Sequence, residues 1–165
     1  MGADSWVHIV PYQEDATAAL AALVRKEMQE VVNVWPADGP CPTTSQEFWR
    51  SCEELDFWLD GILGLGAESV EKDDHDARFK VRLITDHEVL SFFGTAHPGR
   101  ADFDRAEKAA STAAHLNGSY GSPGPCPPGC PHAFDPPERD SGRATVLYDD
   151  ERRPLHIAFW GSTTC

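Results

Sequence analysis

No run of about 18 apolar residues occurs anywhere in the 165-residue chain, so no helix of it is expected to span a membrane. No leader peptide is expected either. The opening "MGADSWVHIV" carries an acid where a leader would carry Lys or Arg, and its apolar run is too short. Gly2 follows Met1, but Trp6 breaks the myristoylation pattern. These absences together lead us to expect a cytoplasmic protein. Positive charge is also scarce: 14 Lys and Arg stand against 27 Asp and Glu, a net charge of −13. Such a chain repels phosphate backbones, which argues against a nucleic-acid partner and favours a basic protein or a divalent cation; plain solubility is the competing explanation.

The common catalytic signatures are absent. There is no Gly-x-Ser-x-Gly, P-loop, Gly-x-Gly-x-x-Gly or His-Glu-x-x-His. Seven histidines are present, and none sits in a recognisable local signature. His97, in "AHPG" between two expected helices, is the most site-like of them. Cys41 and Cys165 are the thiols expected to be exposed, but neither has a histidine base or an orienting group near it in sequence. Five cysteines make an odd number, and a cytoplasmic chain of this length needs no disulfide framework.

What is present suits a folded body. The hydrophobic fraction is 41% and aromatics are 10%, enough for one core, and the length fits a single domain over 1–165. Val7 and Ile9 alternate within a short strand over 5–10, closed by Pro11. A helix over 14–33 follows, rich in Ala, Leu, Glu and Lys, with Leu20, Leu23 or Val24, Met28 and Val31 on one face. Thr44 and Glu47 form a capping box ahead of a second helix, about 45–63, whose apolar face includes Trp49, Cys52 and Trp58. In "RFKVRLIT", Phe79, Val81 and Leu83 are expected to point inward and Arg78, Lys80 and Arg82 outward, as in a half-buried strand. Thr85 and Glu88 make another capping box before a short helix ended by Gly94, and "ADFDRAEKAASTAAHLNG" reads as a further helix. "RATVLY" and "LHIAFW", joined by "DDERRP", read as a hairpin. The expected fold class is α+β: about four mainly antiparallel strands, with three to four helices packed on one face.

Three segments invite a functional reading. From Glu53 to Asp76 there are nine acids and one base, Lys72. Glu53, Glu54, Asp56, Asp60, Glu71, Asp73, Asp74 and Asp76 form the expected contact surface for a basic protein partner, with Trp49 and Trp58 at its edges. Small acidic proteins of the immunity and antitoxin kind work by such neutralisation. Calcium is an alternative at Asp73, Asp74 and Asp76, although the spacing is not that of an EF-hand.

The remaining segment is a long loop over 118–142, where 12 of 25 residues are Gly or Pro. It holds Cys126, Cys130 and His132. The Cys-x3-Cys spacing fits a zinc knuckle with His132 as third ligand and a fourth to come from elsewhere. A disulfide between the two cysteines, or two free thiols, are the other readings. A metal- or thiol-dependent enzyme or sensor is the functional alternative this loop supports. The sequence leaves the oligomeric state open.

Overall fold

The structure is a computed structural model that describes residues 3–33, 47, 50, 61–117, 134 and 140–164. In chain order the elements are β1 (Ala3–Pro11), α1 (Ala16–Asn33), α2 (Gly61–Leu65), β2 (Val70–Glu71), β3 (Val81–Leu83), α3 (Asp86–Phe93), α4 (Arg100–Asn117), β4 (Ser141–Tyr148) and β5 (Pro154–Thr164). The five strands form one sheet in the order β1-β5-β4-β3-β2. β5 lies antiparallel to both β1 and β4, whereas β4, β3 and β2 run parallel to one another. The α+β class therefore holds, but the sheet is five-stranded and mixed rather than four-stranded and mainly antiparallel. The parallel pairing of β3 with β4 follows from the helical crossover, α3 and α4, that separates them in the chain.

Helices cover both faces of the sheet, not one. On the first face Leu20 and Leu23 of α1 and Ile62 and Leu65 of α2 pack with Ile157 and Phe159 of β5. On the second, Val89 and Phe93 of α3 and Phe103 and Ala110 of α4 pack with Ala158 and Trp160 of the same strand. The alternation of side chains along β5 thus feeds two cores, and the strand is buried from both sides. Trp6 of β1 lies across Gly142 and Gly161 on the first face. A Cβ at Gly142 would meet its Cη2 at 3.0 Å, and one at Gly161 would strike the Ser141 carbonyl oxygen and the indole together. The two glycines are the slot into which the indole fits.

The local signals place most elements where the sequence puts them. At α3 both halves of the capping box form: Thr85 Oγ1 accepts from Glu88 N, and the Glu88 carboxylate accepts from Thr85 N. Gly94 closes the helix in the left-handed conformation, with φ 72°. The hairpin turn between β4 and β5 is held by Asp149, which accepts from the backbone N–H of Glu151 and Arg153. Among the described residues no helix is long and apolar enough to cross a membrane.

"RFKVRLIT" departs from expectation in two places. Phe79 is 57% exposed, and Arg82 is only 3% exposed. Strand geometry begins only at Val81, so Phe79 precedes the alternation, in a left-handed turn with φ 61°. Arg82 faces away from the first core, but that second face is covered as well, so its side chain enters protein rather than water.

Candidate functional site

Arg82 and Arg143 are direct neighbours in the parallel β3–β4 register, and both point to the second face. Two adjacent buried guanidiniums repel each other and need anions. Asp76, from the segment between β2 and β3, supplies one. Its Oδ1 accepts from Arg82 Nε at 2.8 Å, and its Oδ2 accepts from Arg143 Nη2 at 2.6 Å. Glu88 of α3 supplies the other, accepting from Arg82 Nη1 and Nη2 at 2.8 and 2.6 Å, a bidentate pair. The Asp76 side chain is 6% exposed and that of Glu88 21%. Arg143 also lies over the Phe92 ring at 5.6 Å. The quartet clamps four parts of the chain together: the β2–β3 connection, two strands and a helix N-terminus.

Burial alone would raise both carboxyls, but the hydrogen bonds outweigh it. Those from Arg82 and from the Thr85 N–H bring Glu88 down to about 2, from an ordinary 4.5. Those from Arg143 and Arg82 lower Asp76. Burial works against the charge on Arg82 too, and the same carboxylates more than offset it, so its affinity for a proton rises. A depressed carboxyl contributes stability that is present in full above its unfolded value and is lost as pH falls through its folded value. Unfolding stability should therefore drop as pH falls from 4.5 towards about 2. In Glu88→Gln that drop should be shallower, with a lower plateau at neutral pH. Urea titrations at several pH values check this; parallel pH curves for the two proteins would refute it.

Arg143 also reaches into the Gly/Pro-rich segment. The Phe134 carbonyl accepts from Arg143 Nη1 at 2.9 Å and from Trp160 Nε1 at 2.8 Å. The Phe134 ring stacks on Trp160, with centroids 5.0 Å apart and planes within 9°. The rings of Phe92, Phe93 and Phe103 meet its faces and edges at 5.4–6.1 Å. Phe134 is 2% exposed. It pins the long connection between α4 and β4 to the second core.

The other expected site residues fall as follows. Glu71 is paired to Lys80 at 2.8 Å. Asp73 and Asp74 are exposed on the β2–β3 connection, where Asp73 accepts from the His75 N–H, a bond that holds its carboxyl below the usual range. Asp76 is not part of that exposed surface; both its oxygens are taken by arginines. For the same reason it cannot join Asp73 and Asp74 around calcium. Glu53, Glu54, Asp56 and Asp60 lie outside the described residues, as do Cys126, Cys130, His132, Trp49, Trp58 and all five cysteines. Among the described residues no group of three His, Cys, Asp or Glu side chains is placed to hold a metal ion.

Compared with family models, curated proteins and solved structures, the chain matches none. The site therefore has to be read from its own geometry.

His97 lines an open cleft of about 540 Å³ between the α3–α4 connection and the β4–β5 turn, with Tyr148, Asp102, Asp150 and Arg152. The imidazole meets the Tyr148 ring edge-on at 4.9 Å. Asp102 is occupied by Arg105 and the Gly99 N–H, and Asp149 by Arg153. The lining hydroxyls are those of Thr95 and Tyr148, and Thr95 Oγ1 accepts from the His97 N–H at 3.2 Å.

The feature that sequence reasoning missed is the knuckle at 78–80. Phe79 N–H donates to the Asp140 carbonyl at 2.6 Å, and Asp140 itself holds φ 56°. Arg78 bonds the Asp140 carboxylate at 2.7 Å and lies over the Phe79 ring at 5.1 Å. Gly142 N–H then donates to the Lys80 carbonyl. Two left-handed turns, each on a non-glycine residue, brace one another at the start of β3 and β4. The only sequence signal was a Phe flanked by Arg and Lys, which reads equally well as a strand.

Proposed function

We propose that the chain is a small acidic binding protein of the cytoplasm that neutralises a basic protein partner, in the manner of immunity proteins and antitoxins. One observation carries this reading. The buried quartet is neutral, two guanidiniums against two carboxylates, so the whole net charge of −13 falls on the rest of the chain. The quartet itself absorbs none of the excess. Asp73 and Asp74 belong to that excess, next to the charged pair Glu71–Lys80 on the β2–β3 connection. Carboxylates at the rim of a contact surface accelerate encounter with a cation-rich partner and fix its orientation.

The test is capture from the native cell at low salt. Tagged protein should retain one basic protein in stoichiometric amount and release it as ionic strength rises. With that partner purified, the double variant Asp73→Asn/Asp74→Asn should associate more slowly at low salt and at the wild-type rate at high salt, as stopped-flow traces would reveal. Recovery of no stoichiometric basic protein at low salt would sink the proposal.

A further inference from the structure

We infer that β1 is the docking edge of the protein: a basic partner lays an extended segment alongside residues 5–11 and adds a strand to the sheet. This rests on the reading of the chain as a binder of a basic protein, and it names the surface that does the binding.

Among the described residues the sheet ends at β1. Tyr12 N–H donates to the Leu155 carbonyl, and the β1–β5 register runs back from there to Ala3 without a shift. Bonded pairs alternate along an antiparallel ladder, so Val10, His8 and Trp6 turn their main-chain groups to β5. Ser5, Val7 and Ile9 turn theirs outward, where they meet no partner among the described residues. Pro11 falls in the same outward set, so its missing N–H takes no bond from β5.

Open edges are ordinarily guarded by shortness, by charge, by proline or by a bulge. The opposite edge, β2, is two residues long and carries Glu71. β1 has nine residues and no bulge, and from Ser5 to Val10 it has no Asp, Glu, Lys or Arg. His8 brings no charge at neutral pH, because burial lowers its affinity for a proton. Val7, His8, Ile9 and Val10 are only half-buried. Tyr12 and Leu155, neighbours across the end of the strand, are exposed. A free main-chain ladder with apolar flanks is completed by another extended chain.

The surrounding charges choose that chain. Asp4 lies on β1, Glu14 and Asp15 just past it, and Glu27 and Glu30 of α1 near His8. Lys26 is the base among them, and it is already paired with Glu27 and Glu30 at 3.9 and 3.4 Å. Glu14 and Asp15 meet no cation among the described residues. The β4–β5 turn, next to Leu155, adds Asp149, Asp150 and Glu151 against Arg152 and Arg153. Eight acids therefore face three bases, which draws in a strand bearing Lys or Arg and repels an acidic one. A second copy fits poorly: antiparallel self-pairing sets Asp4 of one chain towards Glu14 and Asp15 of the other, and each chain carries −13.

Amide hydrogen exchange followed residue by residue by NMR reads this edge. In the free protein the Ser5, Val7 and Ile9 amides should exchange about a hundredfold or more faster than those of Trp6, His8 and Val10. Saturation with the partner purified by low-salt capture should slow Val7 and Ile9 about tenfold or more. Val7→Pro removes an outward N–H and spares the bonds to β5, so it should raise Kd about tenfold or more, while Val7→Thr keeps the N–H and stays within about twofold. The exchange readout needs no variant, so it stands if Val7→Pro does not fold. Slow exchange at Val7 and Ile9 in the free, dilute protein would overturn the inference, because the edge would already be covered. Unchanged exchange at both on saturation, or wild-type affinity in a folded Val7→Pro, overturns it and leaves the proposed function standing. Protection that grows with protein concentration alone assigns the edge to a second copy and overturns the basic segment as its occupant. An empty low-salt capture removes both the inference and the reading it rests on.

Discussion

Truncating Asp76 to alanine should remove about 3–5 kcal/mol of folding stability, because it takes away the carboxylate that both adjacent buried arginines share. Asp76 is the hinge of the quartet: it bonds both guanidiniums, whereas Glu88 bonds only Arg82. After the change Arg143 keeps the Phe134 carbonyl and the Phe92 ring but loses its bonds to Asp76. Removing Arg143 at the same time restores the balance. Asp76→Leu/Arg143→Met leaves the bidentate Arg82–Glu88 pair intact and puts apolar volume where two charges stood, so it should recover much of the loss. Urea unfolding of the single and double variants measures the coupling directly. Asp73→Ala, three residues away on the exposed surface, is the reference and should stay within about 0.5 kcal/mol of wild type. If Asp76→Ala costs no more than Asp73→Ala, the quartet does not hold the fold.

Phe134→Ala should cost a similar amount, about 3–5 kcal/mol, from a lone residue of the Gly/Pro-rich connection. The ring fills a space bounded by Trp160, Phe92, Phe93 and Phe103, and none of these can close over the vacancy without leaving its own ring contacts. The main-chain carbonyl survives the substitution, so any change in its bonds to Arg143 and Trp160 would come from the lost anchor and not from a lost acceptor. Phe134→Leu retains most of the volume and should lose markedly less. The near-ultraviolet circular dichroism band of Trp160 reports the stacking, and denaturant midpoints report the energy. A loss under about 1 kcal/mol in the alanine variant would mean the segment is not anchored there.

How far the fold was legible depends on the range of the signal. The capping box at Thr85–Glu88, the left-handed stop at Gly94 and the hairpin strands around "DDERRP" are decided within a few residues, and each stands where the sequence puts it. β2 is two residues long, Val70–Glu71, too short to show alternation. Parallel pairing and the second helical layer depend on where α3 and α4 cross, which periodicity does not encode. Arg82 illustrates the result: an in–out strand pattern assumes that one face is wet, and here neither is. The site was legible to a lesser degree. By residue type Asp76 is indistinguishable from Asp73 and Asp74; what sets it apart is Arg143, 67 positions along the chain. Phe79 could be separated from a strand residue only by its φ, which depends on Asp140, itself beyond the whole crossover.

The position of β5 has a consequence for biosynthesis. It is the last of the five described strands to leave the ribosome, yet it lies inside the sheet, and among the described strands it is the one that pairs with β1. Until residues 154–164 emerge, β1 lacks the strand it pairs with among the described residues, and both hydrophobic layers lack Ile157 to Trp160. Vectorial folding of this chain therefore waits for its last strand before the sheet is complete, and the nascent polypeptide has to be kept dispersed in the meantime. Mutual repulsion among its surplus carboxylates is the means it carries for that interval.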